Sequence, residues 1–277
     1  MIKPMLAHKL NENKIDWDKP VYMQPKLDGV RCLFTKDGAF SRTGKQFMNV
    51  QHIEKMLKHF FKQNPDIVLD GELYNHDLRN DFEKIISLVR KQKPTDKDRA
   101  EAHKMMQYHV YDYITSTRKR SYKERLDILT CSDIYNEHIK YVLTSIVVTP
   151  AMTKVIHKEF LDMGYEGSIL RTDTPYKHGR SWGLMKFKDF HDAEATIVGY
   201  EAGKGKREGT IGKFLMEDDT GIKFGCPPGK GYTYTDMTNM LENVHDYIGK
   251  EATFTYFERT KAGNYRHPLF KGLRDYE

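Results

Sequence analysis

The chain has 277 residues, of which 39% are hydrophobic and 30% charged, and a formal net charge of +6. That length allows two compact domains with real cores, while no apolar run is long enough to span a bilayer and the N-terminal MIKPMLAHKL lacks the apolar stretch of a secretory signal. Cys32, Cys131 and Cys226 lie far apart with no CxxC pair, which argues against a zinc site or a disulfide framework and fits a reducing cytoplasm; the small basic excess favours a polyanionic partner only slightly.

In chain order, Val21–Thr35 is β-rich, and Lys36-Asp37-Gly38 reads as a hairpin turn returning through Ala39–Arg42. Gln51–Lys62 sets Ile53, Met56, Leu57, Phe60 and Phe61 at helical spacing, so a helix with one buried face is expected. Ile67–Tyr74 reads as a strand and Phe82–Arg90 as a helix, whereas the polar run Lys91–Lys104 reads as a loop or a frayed helix end. A strand follows at Tyr108–Ile114, then a capping box from Ser121 to Glu124 that opens a helix. Ala151–Met163 is a helix stopped by Gly164, and Glu166–Arg171 and Gly183–Lys188 read as strands.

The texture changes after Phe190. His191–Ala202 opens a series of short strands and glycine-rich turns, interrupted by an amphipathic helix through Met237, Met240, Leu241, Val244 and Ile248 and followed by a β run at Glu251–Arg259. That pattern suits a small β-barrel such as an OB-fold. The expected division is therefore an α+β domain over 1–190 with mixed or antiparallel sheets, and a β-barrel OB-fold domain over 191–277.

The strongest chemical signal is Lys26-Leu27-Asp28-Gly29-Val30-Arg31, preceded by Gln24-Pro25. Proline stiffens the approach to Lys26, and glycine permits a tight bend after it. An amine attacks phosphorus only when neutral, so such a lysine needs nearby cations or loss of water to lower its pKa. Taken alone, this lysine could equally be a surface residue in a basic hairpin.

This hexapeptide resembles motif I of the covalent nucleotidyltransferases, the superfamily of DNA ligases, RNA ligases and mRNA capping enzymes. Five further elements resemble that family's motifs in the same order: Ser41-Arg42-Thr43-Gly44, Leu69-Asp70-Gly71-Glu72, His109-Val110-Tyr111-Asp112, Tyr165-Glu166-Gly167, and Leu184-Met185-Lys186-Phe187-Lys188. Six such elements across 24–188 are hard to obtain by chance. The resemblance implies an adenylation domain in which Lys26 is the nucleophile that takes AMP from ATP. It implies Glu72 and Glu166 as carboxylates for ribose contact and for Mg²⁺ or Mn²⁺, Tyr111 stacked on adenine, and Gln24 reading the adenine edge. Arg31 and Arg42 would grip ribose or a 5′-phosphate, and Lys186 and Lys188, alternating onto one face with Phe187 turned to the core, would reach the α-phosphate. Asp112, facing oppositely along its strand, is read as structural. Each residue alone has an ordinary alternative, as a strand-end acid, a core tyrosine or a solvated lysine.

The segment Asp192–Lys213 resembles the start of the OB domain of ATP-dependent DNA ligases, with Gly209 and Gly212 in a turn and Lys204, Lys206, Arg207 and Lys213 forming a basic loop beside the duplex. Arg118, Lys119 and Arg120 are a second candidate phosphate contact. The tail resembles the motif VI region, where the family's basic residues contact pyrophosphate; Arg274 and Asp275 fall there. Only about twenty residues precede the first motif, and there is neither a cysteine cluster nor a C-terminal extension, so the resemblance is to minimal two-domain ligases of phages and some bacteria. The expectation is an ATP-dependent DNA ligase, monomeric and cytoplasmic, sealing nicks in duplex DNA. The rivals are an RNA-repair ligase, a capping guanylyltransferase that would prefer GTP, and a non-catalytic nucleic-acid-binding OB protein.

Overall fold

The computed structural model describes residues 3–115, 119–260 and 262–274. The first stretch of chain runs β1 (Met5–Lys9), β2 (Val21–Pro25), β3 (Val30–Thr35), β4 (Gly38–Phe40), α1 (Gln51–Gln63), β5 (Val68–Tyr74), α2 (Phe82–Val89), α3 (Asp96–Met105), β6 (Gln107–Ile114), α4 (Tyr122–Thr130), β7 (Ile139–Tyr141), β8 (Ser145–Val147), α5 (Pro150–Asp162), β9 (Ser168–Thr172) and β10 (Gly179–Phe187). After it come β11 (His191–Ala202), β12 (Ile211–Glu217), β13 (Lys223–Cys226), α6 (Tyr234–Glu242), β14 (Glu251–Tyr256) and β15 (Leu269–Leu273). The chain divides into two compact units, Met1–Lys188 and Asp189–Glu277.

Two five-stranded sheets build the first unit, in the orders β1-β10-β9-β2-β8 and β4-β3-β5-β6-β7. Each holds one parallel pair, β1 with β10 and β6 with β7, among antiparallel neighbours, so both sheets are mixed. The consecutive strands β2 and β3 lie in different sheets, and the four residues Lys26–Gly29 make the crossing. Ile53, Leu57 and Phe61 of α1 and Ile85, Leu88 and Val89 of α2 bury their apolar stripes with Leu69, Leu73 and Val110 of the second sheet. Phe160 of α5 packs with Val21, Met23, Leu170 and Met185 of the first.

Several sequence expectations need correction. Lys91–Lys104 is not a loop: α3 occupies most of it, because Thr95 Oγ1 accepts from Asp98 N (3.2 Å) while Asp98 Oδ2 accepts from Thr95 N (2.9 Å), a reciprocal cap that starts the helix. Its polar surface follows from burying little beyond Ala102. Met56 of α1 is exposed rather than buried. Strand β1 was not foreseen.

In the second unit the helix expected to reach Ile248 ends at Glu242; a 3-10 turn at Val244–Asp246 carries Val244 into the core and leaves Ile248 exposed. Its sheet, β13-β12-β11-β14-β15, is OB-like but open. Among the described residues the backbone contacts between its edges are Phe270 N donating to Pro227 O and Gly229 N to Phe270 O, both 2.9 Å. Pro227 and Pro228 have no N–H to donate, so a closing ladder cannot continue through them. Cys32 and Cys226 are buried, Cys131 is exposed, and all three are free thiols. Among the described residues no helix is long and apolar enough to cross a membrane.

Candidate active site

Lys26 sits where β2 leaves its sheet. Its backbone is fastened to the turn before β9: Lys26 N donates to Gly167 O at 2.8 Å, and Glu166 N donates to Lys26 O at 3.1 Å. Two glycines make the crowding possible. A Cβ on Gly29 would fall 2.5 Å from Leu73 O and 2.8 Å from Glu72 Cγ, so only glycine lets β5 bring Glu72 this close. Gly167 has φ +142 and a Cβ there would collide with Phe187 O, so only glycine lets β10 pass alongside.

The result is a convergence of charge. Lys26 Nζ pairs with one oxygen of Glu166, and Lys188 Nζ pairs with the other. Between Lys186 and Lys188, Phe187 turns inward and stacks on His157, rings 3.6 Å apart and 10° from parallel. Lys26 opens onto a cavity of about 300 Å³ walled by Arg31, Arg42, Glu72, Tyr111 and Lys186, with Arg171 and Arg180 also in its lining. Leu6, Ala7, Leu27, Ile169 and Leu184 supply the apolar surface.

Glu72 accepts from the Tyr111 hydroxyl at 3.3 Å. Loss of water raises its carboxyl to about 7, against the opposing pull of Lys26 and Arg31. Burial also holds the Tyr111 phenol well above its ordinary range. The Tyr111 ring is flanked by two guanidiniums, Arg31 at 5.7 Å and Arg171 at 5.1 Å from its centroid.

Beneath this ring lies a buried ion cluster. Asp112, next to Tyr111 on β6, accepts from Arg125 at 2.7 and 3.2 Å and from Arg171 at 2.8 Å. Arg171 Nε in turn donates to Gln24 Oε1 at 2.8 Å.

Two sequence-assigned residues are held by partners within the chain. Gln24 is in the cavity wall, but its amide is engaged on every side: Oε1 holds Arg171, and Nε2 donates to the Tyr122 hydroxyl and Thr144 Oγ1, both at 2.9 Å. These bonds brace the wall. Arg31 turns its fork onto Asp70 (Nε 2.9 Å, Nη2 2.6 Å) and donates Nη1 to Met5 O at 2.6 Å. Arg42 and Lys186 are exposed at the cavity, and Lys188 is held by Glu166. Arg171 and Arg180 were not singled out from the sequence. The alternation of Ile169 with Arg171 along β9, and the position of Arg180 two residues before Trp182 on β10, were the available signals.

The remaining assignments scatter. Lys119 is exposed, Arg120 donates to the Tyr113 hydroxyl at 2.7 Å instead of facing solvent, and Arg118 lies outside the described residues. Lys204, Lys206 and Arg207 are exposed in the turn between β11 and β12. Lys213 does not share that loop; it stands on β12 opposite Glu201 and pairs with it at 3.0 Å. Arg274 is ion-paired with Glu194 and, at 3.5 Å, with Glu251, a cross-strand use of its charge that the tail motif did not suggest; Asp275 lies outside the described residues.

A lysine amine at the mouth of a polar, arginine-rich cavity in a two-sheet unit, followed by an OB-like unit, defines a nucleotidyltransferase-type ligase. The sequence model of the ATP dependent DNA ligase domain matches residues 4–188, and that of the DNA ligase OB-like domain matches residues 202–274. The chain belongs to the ATP-dependent DNA ligase family. It is 28% identical to a DNA ligase of African swine fever virus over 97% of this chain and 70% of the relative, and 26% identical to the DNA ligase of Haemophilus influenzae over 96% and 90%. Among solved structures, a Lig E DNA ligase described as binding DNA with a minimal scaffold superposes with a TM-score of 0.80 at 24% identity, covering 99% of this chain and all of that one. That likeness is one of fold. The Chlorella virus DNA ligase-adenylate superposes with a TM-score of 0.54 at 26% identity, covering 100% and 99%.

Proposed function

We propose that this ATP-dependent DNA ligase seals nicks between a 5′-phosphate and a 3′-hydroxyl in duplex DNA, with Lys26 as the covalent nucleotide carrier. In the first step the Lys26 amine forms a bond to the α-phosphorus of ATP as the bond to pyrophosphate breaks, and the Lys26 proton leaves toward the Glu166 carboxylate it faces. AMP then passes from Lys26 to the 5′-phosphate of the nick. The 3′-hydroxyl finally attacks that phosphate in line and releases AMP. The observation that carries the reading is the meeting of the Lys26 amine with Glu166 and Lys188 at a cavity lined by Glu72, Tyr111, Arg42 and Lys186.

Within that reading, Arg42, Lys186 and Lys188 balance charge on the transferring phosphoryl group, which is where most of the rate of such a reaction arises. Tyr111 offers its ring to adenine. Among the described residues no three His, Cys, Asp or Glu side chains are grouped to hold a metal. One or two carboxylates completed by substrate phosphates is the way Mg²⁺ is usually bound, and Glu72 and Glu166 fit that pattern. Mg²⁺ or Mn²⁺ held there would neutralise phosphate charge. Lys204, Lys206, Arg207 and Lys119 are exposed cations suited to backbone contacts on a duplex. We place the protein in the cytoplasm, acting as a monomer.

Sealing of a nicked DNA duplex by the purified protein with ATP and Mg²⁺ tests the reading. Wild type should seal, Lys26→Ala should not, GTP should not replace ATP, and nicked RNA should be a poorer substrate. Sealing by Lys26→Ala at the wild-type rate would refute it.

A further inference from the structure

We infer that His8 and Trp182 form a preassembled stacking platform that receives the DNA strand delivering its 5′-phosphate to the cavity; the inference rests on the nick-sealing reading above. Trp182, on β10, remains 40% exposed and takes no part in any of the three core clusters of the first unit. His8, on β1, lies flat against it, with ring centroids 3.8 Å apart and planes 7° from parallel. A large aromatic side chain left in water, yet locked by a partner ring, has already lost the rotamer freedom that binding would otherwise remove.

Its surroundings fit a polyanion. The Lys14 ammonium lies 5.8 Å from the indole centroid. Arg180, two residues before Trp182 on β10, lines the cavity and is tied across to β1 by Nη1 donating to Ala7 O at 2.7 Å. Leu184, two residues after Trp182, and Ala7, immediately before His8, line the same cavity, so the platform adjoins its rim along both strands. An aromatic face interleaved with cations is the pattern that holds a nucleic-acid strand: the cations draw phosphates and the rings pack on sugars and bases. The β1–β10 pair departs from regular register between Ala7 and His8, where the partner on β10 jumps from Ser181 to Met185, so Trp182 lies in the irregular stretch of β10.

The chain has two tryptophans, Trp17 and Trp182, and Trp17 is partly buried against a core cluster. In a Trp17→Phe background the emission therefore reports on Trp182 alone. Nicked duplex DNA added to that protein should change the emission saturably, and the change should weaken with salt. In steady-state sealing, Trp182→Ala should raise KM for nicked duplex about tenfold with kcat at saturating DNA within twofold of wild type, and Trp182→Phe should recover most of the loss. Unchanged emission at saturating DNA, a wild-type KM in Trp182→Ala, or a loss lying in kcat that Trp182→Phe does not restore would each overturn the platform. Failure of the wild type to form an adenylate or to seal would instead strike the ligase reading, and it is seen before any variant is compared.

Discussion

Replacing Asp112 with alanine strips the carboxylate that bridges two guanidiniums that are 3% exposed, Arg125 and Arg171. Asp112 accepts from Arg125 at 2.7 and 3.2 Å, from Arg171 at 2.8 Å and from its neighbour Tyr113 N at 2.8 Å. Removing one member of such a buried set leaves uncompensated charge and costs roughly 3–5 kcal/mol, a large part of the stability of any domain. For a unit of this size that is a fall in Tm of roughly 6–20 °C. Thermal unfolding followed by circular dichroism measures it. Because Arg171 flanks Tyr111 and steadies Gln24 in the cavity wall, KM for ATP should rise as well. The triple change Asp112→Leu, Arg125→Met, Arg171→Met removes the charges together and should restore much of the Tm without restoring KM. A Tm loss under about 3 °C in Asp112→Ala would refute the claim that the cluster is dry and coupled.

Glu72 sets a pH dependence. Its carboxyl lies at about 7 in the folded chain against 4.5 when unperturbed, so the folded state holds the proton more tightly. That stabilisation is complete below pH 4.5 and is lost as pH rises through 7, so the urea midpoint of the wild type should fall across this window relative to Glu72→Gln; parallel curves would contradict it. Burial lowers His52 and His109 to about 4 from 6.5, with the opposite result: both contribute stability above pH 6.5 that is lost as pH falls toward 4, and His109→Gln should flatten that acid limb. Thr95→Ala removes the reciprocal cap of α3 and should cost about 1 kcal/mol in urea unfolding, with no loss counting against the cap. Glu166→Ala frees Lys26 and Lys188 from their shared carboxylate and should slow lysine adenylylation on the order of a hundredfold; full activity would remove Glu166 from the site.

What was legible in the sequence was whatever is local. The apolar spacing of Ile53, Leu57 and Phe61, the Ser121–Glu124 box and the stop at Gly164 each determine nearby backbone directly, and the corresponding helices stand where their spacing placed them. The motif lysines, acids and Tyr111 also drew attention through their order alone. Pairing was not legible. Nothing in Gln24 announces that its amide will be taken by Arg171, Tyr122 and Thr144, residues 98 to 147 positions away. Arg31 and Asp70 likewise meet only because β3 and β5 are neighbours. The cap at Thr95 was present in the sequence, but the surrounding charge masked it, because α3 buries too little to produce an apolar stripe. The open sheet of the second unit turned on two prolines whose effect depends on which strand they would have joined.

The account rests on Lys26 carrying the nucleotide. Purified protein incubated with ATP and Mg²⁺, digested and mapped by mass spectrometry, should yield one peptide heavier by a single AMP, modified at Lys26, and the adduct should disappear when pyrophosphate is added. An adduct on another residue, or none with either Mg²⁺ or Mn²⁺, would contradict it.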